Sequence, residues 1–176
     1  KTKLLRPVVH FDQGAPDLEQ SLVELGRDLG IGRDRVAGAL KQAHSAQARF
    51  RRRCRERGRE VLDGLTGDEL ALVIVSRPYN GCDQGLNLQL PRKLRDLGAL
   101  AIPMDFLPLT EVPFSDEWPN MYWKYGQRIM AAATIVRDDP RLSAVYITNF
   151  GCGPDSFMTT FFRRVMGEKP ALQLEI

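Results

Sequence analysis

The six consecutive apolar residues Leu70-Ala71-Leu72-Val73-Ile74-Val75, bounded by polar ones, restrict the fold of this chain more than any other stretch. A strand without polar alternation is covered on both faces, as happens in parallel sheets flanked by helices. Three more apolar or β-branched runs, at 99–104, 143–148 and 171–176, follow it at intervals filled by helical periodicity. Four strands alternating with helices at about 91–97, 120–138 and 154–166 predict βαβ units and right-handed crossovers. The helix at 120–138 is expected to bury Tyr122, Tyr125, Ile129, Ala132, Ala133 and Val136, and its aromatic opening, 121–125, suits core or partner-facing use, with core favoured. The expected fold class is therefore α/β: a small doubly wound, flavodoxin-like parallel sheet in the order 2-1-3-4.

Ahead of the sheet, residues 1–16 read as an extended leader, and 17–66 as a helical segment preceding an α/β domain at 67–176. Leu18, Leu22, Leu25 and Leu29 recur at helical spacing behind a capping Asp17 and stop near Gly30 and Gly32. A longer helix from Asp34 places Val36, Leu40, Ala43, Gln47, Phe50 and Cys54 on one face, so Cys54 is expected to be a buried small hydrophobe. The same helix carries Arg49, Arg51, Arg52, Arg53, Arg55, Arg57 and Arg59, readable as a solvated face or as a patch for an acidic partner or nucleotide-like phosphates. The chain opens at Lys1 rather than Met and closes inside a strand, which suggests a piece of a larger protein.

At 176 residues and 43% hydrophobic, the chain supports one domain with a sizeable core. A net charge of +3 does not argue for nucleic acid, and no interleaved aromatics or known motif adds that case. No apolar run approaches the ~20 residues that cross a bilayer, and no signal peptide opens the chain, so a cytoplasmic location is expected. The cysteines, Cys54, Cys82 and Cys152, are three and far apart, with no CxxC pair, which indicates neither a disulfide framework nor a self-contained zinc site.

In a 2-1-3-4 sheet the topological switch point lies between the first and third strands, and ligands bind outside the carboxyl ends there. The loops leaving those strands, 77–87 and 149–156, are the chain's most polar and glycine-rich turns. Both are thus expected to face one crevice. Arg77 is a candidate to hold a phosphate or carboxylate. Tyr79, Asn80, Asp83, Asn87, Asn149 and Ser156 are candidates to orient a substrate. In the turn Phe150-Gly151-Cys152-Gly153, Pro154 opens a helix and Asp155 suits its positive end. Cys152 then lies beside free backbone N–H groups, where a sulfur anion can ligate a metal, hold an iron–sulfur cluster or act as a nucleophile. Cys82 is a second thiol on the same crevice. A nucleophilic role lacks a base, because His10 and His44 fall outside it. The loop 105–119, with Pro108, Pro113 and Pro119, is longer than an ordinary connection and reads as a binding loop or lid.

Four stretches carry a resemblance: Ser-Arg-Pro-Tyr-Asn at 76–80 with Asp83, Gly85 and Asn87; Ile-Pro-Met-Asp-Phe-Leu-Pro-Leu at 102–109; Met-Tyr-Trp-Lys-Tyr-Gly-Gln-Arg-Ile at 121–129; and Thr-Asn-Phe-Gly-Cys-Gly-Pro-Asp-Ser-Phe at 148–157. With them the chain resembles the large proteins related to 2-hydroxyacyl-CoA dehydratases and their activators, the CoA-substrate-specific enzyme activases. The resemblance implies a reductively activated, oxygen-sensitive system. In it an ATP-dependent activator passes an electron to a part bearing 4Fe-4S clusters, and the 2-hydroxyl of an acyl-CoA is then removed. It implies that Cys152 is a cluster ligand, whereas Cys82 does not match a dependable cysteine position. It also implies a second subunit or a further part of the protein, since three cysteines cannot complete a cluster and no ATPase motif is present. The alternative reading is a non-catalytic module that binds a small anion or docks an acidic partner.

Overall fold

A computed structural model describes residues 4–11, 15–113, 118–149 and 151–176. Parts of the leader and of the long loop, together with Phe150 of the cysteine turn, lie outside the described residues. The chain forms two compact units, Lys1–Arg52 and Arg53–Ile176.

The first unit holds helix α1 (Ala15–Asp28) and the start of the long helix α2 (Arg33–Asp63). The left-handed Gly30 turns the chain, and Ile31 N–H donates back to the Gly26 carbonyl at 2.8 Å. A side chain on Gly26 would meet Val36 Cγ2 at 2.7 Å, so the two helices approach at that glycine. Leu18 and Val23 are buried, but Leu29 is exposed.

The expected apolar face of α2 is not buried along its length. Every residue from 41 to 53 is exposed, Phe50 by 62%, and Cys54 is only half-buried. Beyond that exposed stretch the last turns of α2 meet the core under the sheet: Gly58 is buried, and Val61 and Leu62 pack there. A stripe stabilises a helix only where another apolar surface covers it.

The second unit is built on a four-stranded parallel sheet in the order β2-β1-β3-β4, comprising β1 (Ala71–Val75), β2 (Leu100–Pro103), β3 (Leu142–Thr148) and β4 (Ala171–Glu175). The remaining helices are α3 (Pro78–Cys82), α4 (Leu90–Asp96), α5 (Lys124–Asp138) and α6 (Gly153–Met166). Val73, Val75, Ala144 and Tyr146 share a core with Ile129, Met130, Val136, Met158 and Phe162. On the other face, Ile74, Val145 and Ile147 meet Leu94 and Ala99. Both faces of β1 and β3 are thus covered, which is why their sequences lack polar alternation.

Three local expectations are corrected. Residues 78–82 form a one-turn helix where a loop was expected. Helix α4 starts at Leu90 despite the following proline, because Leu88 and Gln89 are both left-handed and bring the chain round before the first helical residue. Tyr122 and Tyr125, expected in the core, are 92% and 43% exposed. Since α5 begins only at Lys124, Tyr122 lies in the preceding turn and outside the helix's apolar period; Met121 and Trp123 pack against the core instead.

Opposite the cysteine turn, Arg141 joins three segments. Its Nε and Nη2 donate to Asp139 at 3.0 and 2.7 Å, and its Nη1 donates to the Leu62 and Leu65 carbonyls at 3.1 and 3.3 Å. It thereby ties the turn at Asp139 to the end of α2 and to the loop just beyond it. The hydrogen bonds from Arg141, then its charge and that of Lys169, hold the Asp139 carboxyl below its ordinary range. A carboxylate with a depressed folded-state pKa contributes stability above its unfolded pKa of about 3.9, lost as pH falls through the lower folded value. Asp139→Asn is therefore expected to cost about 1 kcal/mol at neutral pH and nothing in strong acid. Urea midpoints measured from pH 7 down to about pH 2 check this.

Candidate functional site

The turn after β1 and the turn after β3 are built alike. Each strand ends, one residue in extended conformation caps a helix, and a proline follows in the first turn: Arg77 (φ −67°, ψ 151°) for α3 and Cys152 (φ −79°, ψ 116°) for α6. Neither side chain is spent on capping its own helix. Because β1 and β3 are parallel neighbours in register up to Val75 and Tyr146, the two caps emerge side by side.

The Arg77 side chain crosses from one turn to the other. Its Nε donates to Asp155 Oδ1 at 2.8 Å, its Nη2 to Cys152 Sγ at 2.8 Å and its Nη1 to the Tyr79 hydroxyl at 2.7 Å. Asp155 is 2% exposed, and its second oxygen accepts the Asn149 backbone N–H at 2.9 Å. The guanidinium also lies 5.2 Å from the Trp123 ring centre and 5.9 Å from that of Tyr79, within cation–π range. Burial alone would lower its pKa, but Asp155 and the hydrogen bonds raise it, so the cation is secure. Beside them the buried Asn80 donates through Nδ2 to Asn149 Oδ1.

Arg77, Tyr79, Asn80, Asn149 and Cys152 therefore come together. The other candidates serve their own turns. Asp83 Oδ1 accepts the N–H groups of Gly85 and Leu86, both at 2.9 Å. The buried Asn87 donates to the Gly81 carbonyl at 3.0 Å. Ser156 donates through Oγ and backbone N–H to the Cys152 carbonyl, one turn back on α6. Cys82 is exposed and lines a separate cavity, where burial and then Asp105 and Cys54 push its thiol pKa up.

Three participants are not evident from the sequence. By sequence Asp155 is only a favourable charge at a helix start, whereas in the fold it is the buried counter-ion of Arg77. The signal was available: adjacent parallel strands followed by an arginine and a carboxylate bring opposite charges to one edge. Trp123 belongs to a stretch read as core. Tyr146 is fully buried, and its hydroxyl has no hydrogen-bond partner among the described residues. Burial first, then Asp155, drive its pKa far up, so it stays neutral.

Chemically, the site offers one sulfur oriented by a cation that is itself locked by a buried carboxylate. Both histidines belong to the first unit, so the second unit has no imidazole to serve as a base for Cys152. Among the described residues no three His, Cys, Asp or Glu side chains are grouped to hold a metal ion. An intact four-cysteine cluster does not fit the donors of this chain alone, because Cys152 is the single thiol at the site.

A family model described as "CoA enzyme activase uncharacterised domain" matches residues 1–107. The match includes Arg77, Tyr79 and Asn80 and ends before Cys152. No curated protein and no solved structure matches the chain. No helix among the described residues is long and apolar enough to cross a membrane.

Proposed function

Because the chain belongs to the CoA enzyme activase uncharacterised domain family, we propose that it is an activator-related component of a reductively activated, CoA-linked enzyme system. In this reading its α/β unit lends Cys152 as one ligand to a 4Fe-4S centre. The other ligands come from a second subunit or a further part of the protein. The reaction served is removal of the 2-hydroxyl from an acyl-CoA, driven by an electron from an ATP-dependent partner.

One observation carries the reading: the half-buried Cys152 sulfur sits at a helix start and accepts a hydrogen bond from an arginine pinned by Asp155. Soft thiolate ligands suit iron–sulfur chemistry, and hydrogen bonds to sulfur tune such centres and fix their ligands. A site that grips a free phosphate or carboxylate fits less well, since Nε and both Nη atoms of Arg77 already donate to the protein. Docking of an acidic partner suits the same component role, because the arginine-rich middle of α2 is exposed.

In anaerobic activation assays with the complete system, Cys152→Ala is expected to abolish reductive activation, a loss of at least ~100-fold by analogy with the effect of removing groups that merely support a metal ligand. Cys54→Ala and Cys82→Ala should leave activation within about twofold, as removing a thiol remote from the centre takes no ligand away. Undiminished activation by the Cys152 variant would contradict the proposal.

A further inference from the structure

A second pocket opens at the other side of β1, between the carboxyl ends of β1 and β2. It encloses about 60 Å³, and Ile74, Pro78, Ala101 and Met104 form much of its wall. A single water needs ~10–15 Å³, so this space accepts a group of a few heavy atoms.

Its polar features are few and unevenly used. Ser76 lines the pocket and is 5% exposed, yet its Oγ makes no hydrogen bond among the described residues; only its backbone N–H is engaged, with the Met104 sulfur at 3.4 Å. The Oγ is not sealed off from the pocket, so it is available to a group bound there. The space over it is kept by a glycine: a Cβ on Gly81 would stand 2.6 Å from Ser76 Oγ. Toward solvent the pocket is bordered by Cys82, Tyr125 and the ion pair of Arg128 with Asp105. The pair cancels its own charge, and the raised thiol pKa keeps Cys82 neutral. The pocket therefore holds no net charge to attract an ion.

We infer that this pocket is a binding site for a small uncharged group of about four or five heavy atoms, a short alkyl part carrying a carbonyl or hydroxyl that hydrogen-bonds Ser76. The inference rests on the pocket's shape and on Ser76, and stands or falls separately from the role of Cys152. A short amide meets the requirements: its alkyl part faces Ile74, Ala101 and Met104, and its oxygen accepts the Ser76 proton. A carboxylate of the same shape is disfavoured, because Asp105 repels it and already engages Arg128.

Propionamide and propionate are the matched probes, read by protein NMR titration and by the rate at which iodoacetamide alkylates Cys82 at the pocket mouth. Propionamide is expected to shift the amide signals of Ser76, Gly81 and Ala101 saturably and to slow alkylation at least twofold at saturation, with propionate at least threefold weaker. Ser76→Ala should weaken propionamide binding several-fold, and Gly81→Ser, which fills the space, should abolish it. Absence of saturable shifts with propionamide would overturn the inference, as would unchanged binding in the Ser76→Ala variant. Tighter binding of propionate than of propionamide would overturn the assignment of an uncharged ligand.

Discussion

Arg77→Met is expected to destabilise the α/β unit by about 3–5 kcal/mol, because it leaves the carboxylate of Asp155 buried with the Asn149 N–H as its remaining donor. The side chain of Asp155 is 3% exposed and that of Arg77 16%, so water replaces little of what is lost. Asp155→Asn should cost less, about 1–3 kcal/mol, since its amide oxygen still accepts one hydrogen bond and the cation left without its counter-ion is the more exposed partner, which keeps Tyr79 and Cys152. The double variant should recover much of the Arg77→Met loss, as replacement of both partners of a buried pair usually does. Urea unfolding with the slope checked for constancy measures all three. A cost below about 1 kcal/mol for Arg77→Met, the range of exposed pairs, would mean that the pair is solvated and that Cys152 is not held as described.

The second large effect is expected at Gly58. A methyl group there would stand 1.9 Å from the Phe106 carbonyl oxygen and 2.7 Å from its carbon. Those are backbone atoms, so no side-chain rotation relieves the overlap; either α2 or the turn after β2 must move. Overpacking inside a core costs about 1–3 kcal/mol where side chains can yield. Gly58→Ala is expected to exceed 3 kcal/mol on that scale, against the small gain that alanine ordinarily brings to a helix. A neutral or stabilising Gly58→Ala in the same unfolding experiment would show that the end of α2 does not pack against this turn.

The sheet was legible because its signals are local and redundant. The runs at 70–75 and 143–148 lack polar alternation, strand ends are marked by Ser76 and Asn149, and the spacing leaves room for one helix between strands. From there the order 2-1-3-4 follows by connection rules, and it places the turns of Arg77 and Cys152 next to each other. What stayed hidden depends on contacts between distant residues. The residues next to Asp155 do not by themselves distinguish a helix-start charge from a buried counter-ion; only the pairing of its strand with that of Arg77 does. Phe50 and Tyr122 failed for a related reason: periodicity marks which face of a helix is apolar, whereas burial requires a second surface to cover it. Gly58 reads as an ordinary weak spot in an arginine-rich helix until Phe106 is seen against it. Asp83 and Asn87 look like ligand-binding residues by type, and their hydrogen bonds go to the turn that carries them.

The central claim, that Cys152 is a ligand contributed to a shared iron–sulfur centre, is tested most directly by anaerobic quantification of iron and acid-labile sulfide together with an electron paramagnetic resonance spectrum. The protein is taken in its complete assembly, as wild type and as Cys152→Ala. The account predicts that the substitution removes the centre, or changes its spectrum and iron content, with the assembly intact. Identical iron, sulfide and spectra in the two proteins, or no iron in either after reconstitution, would contradict it.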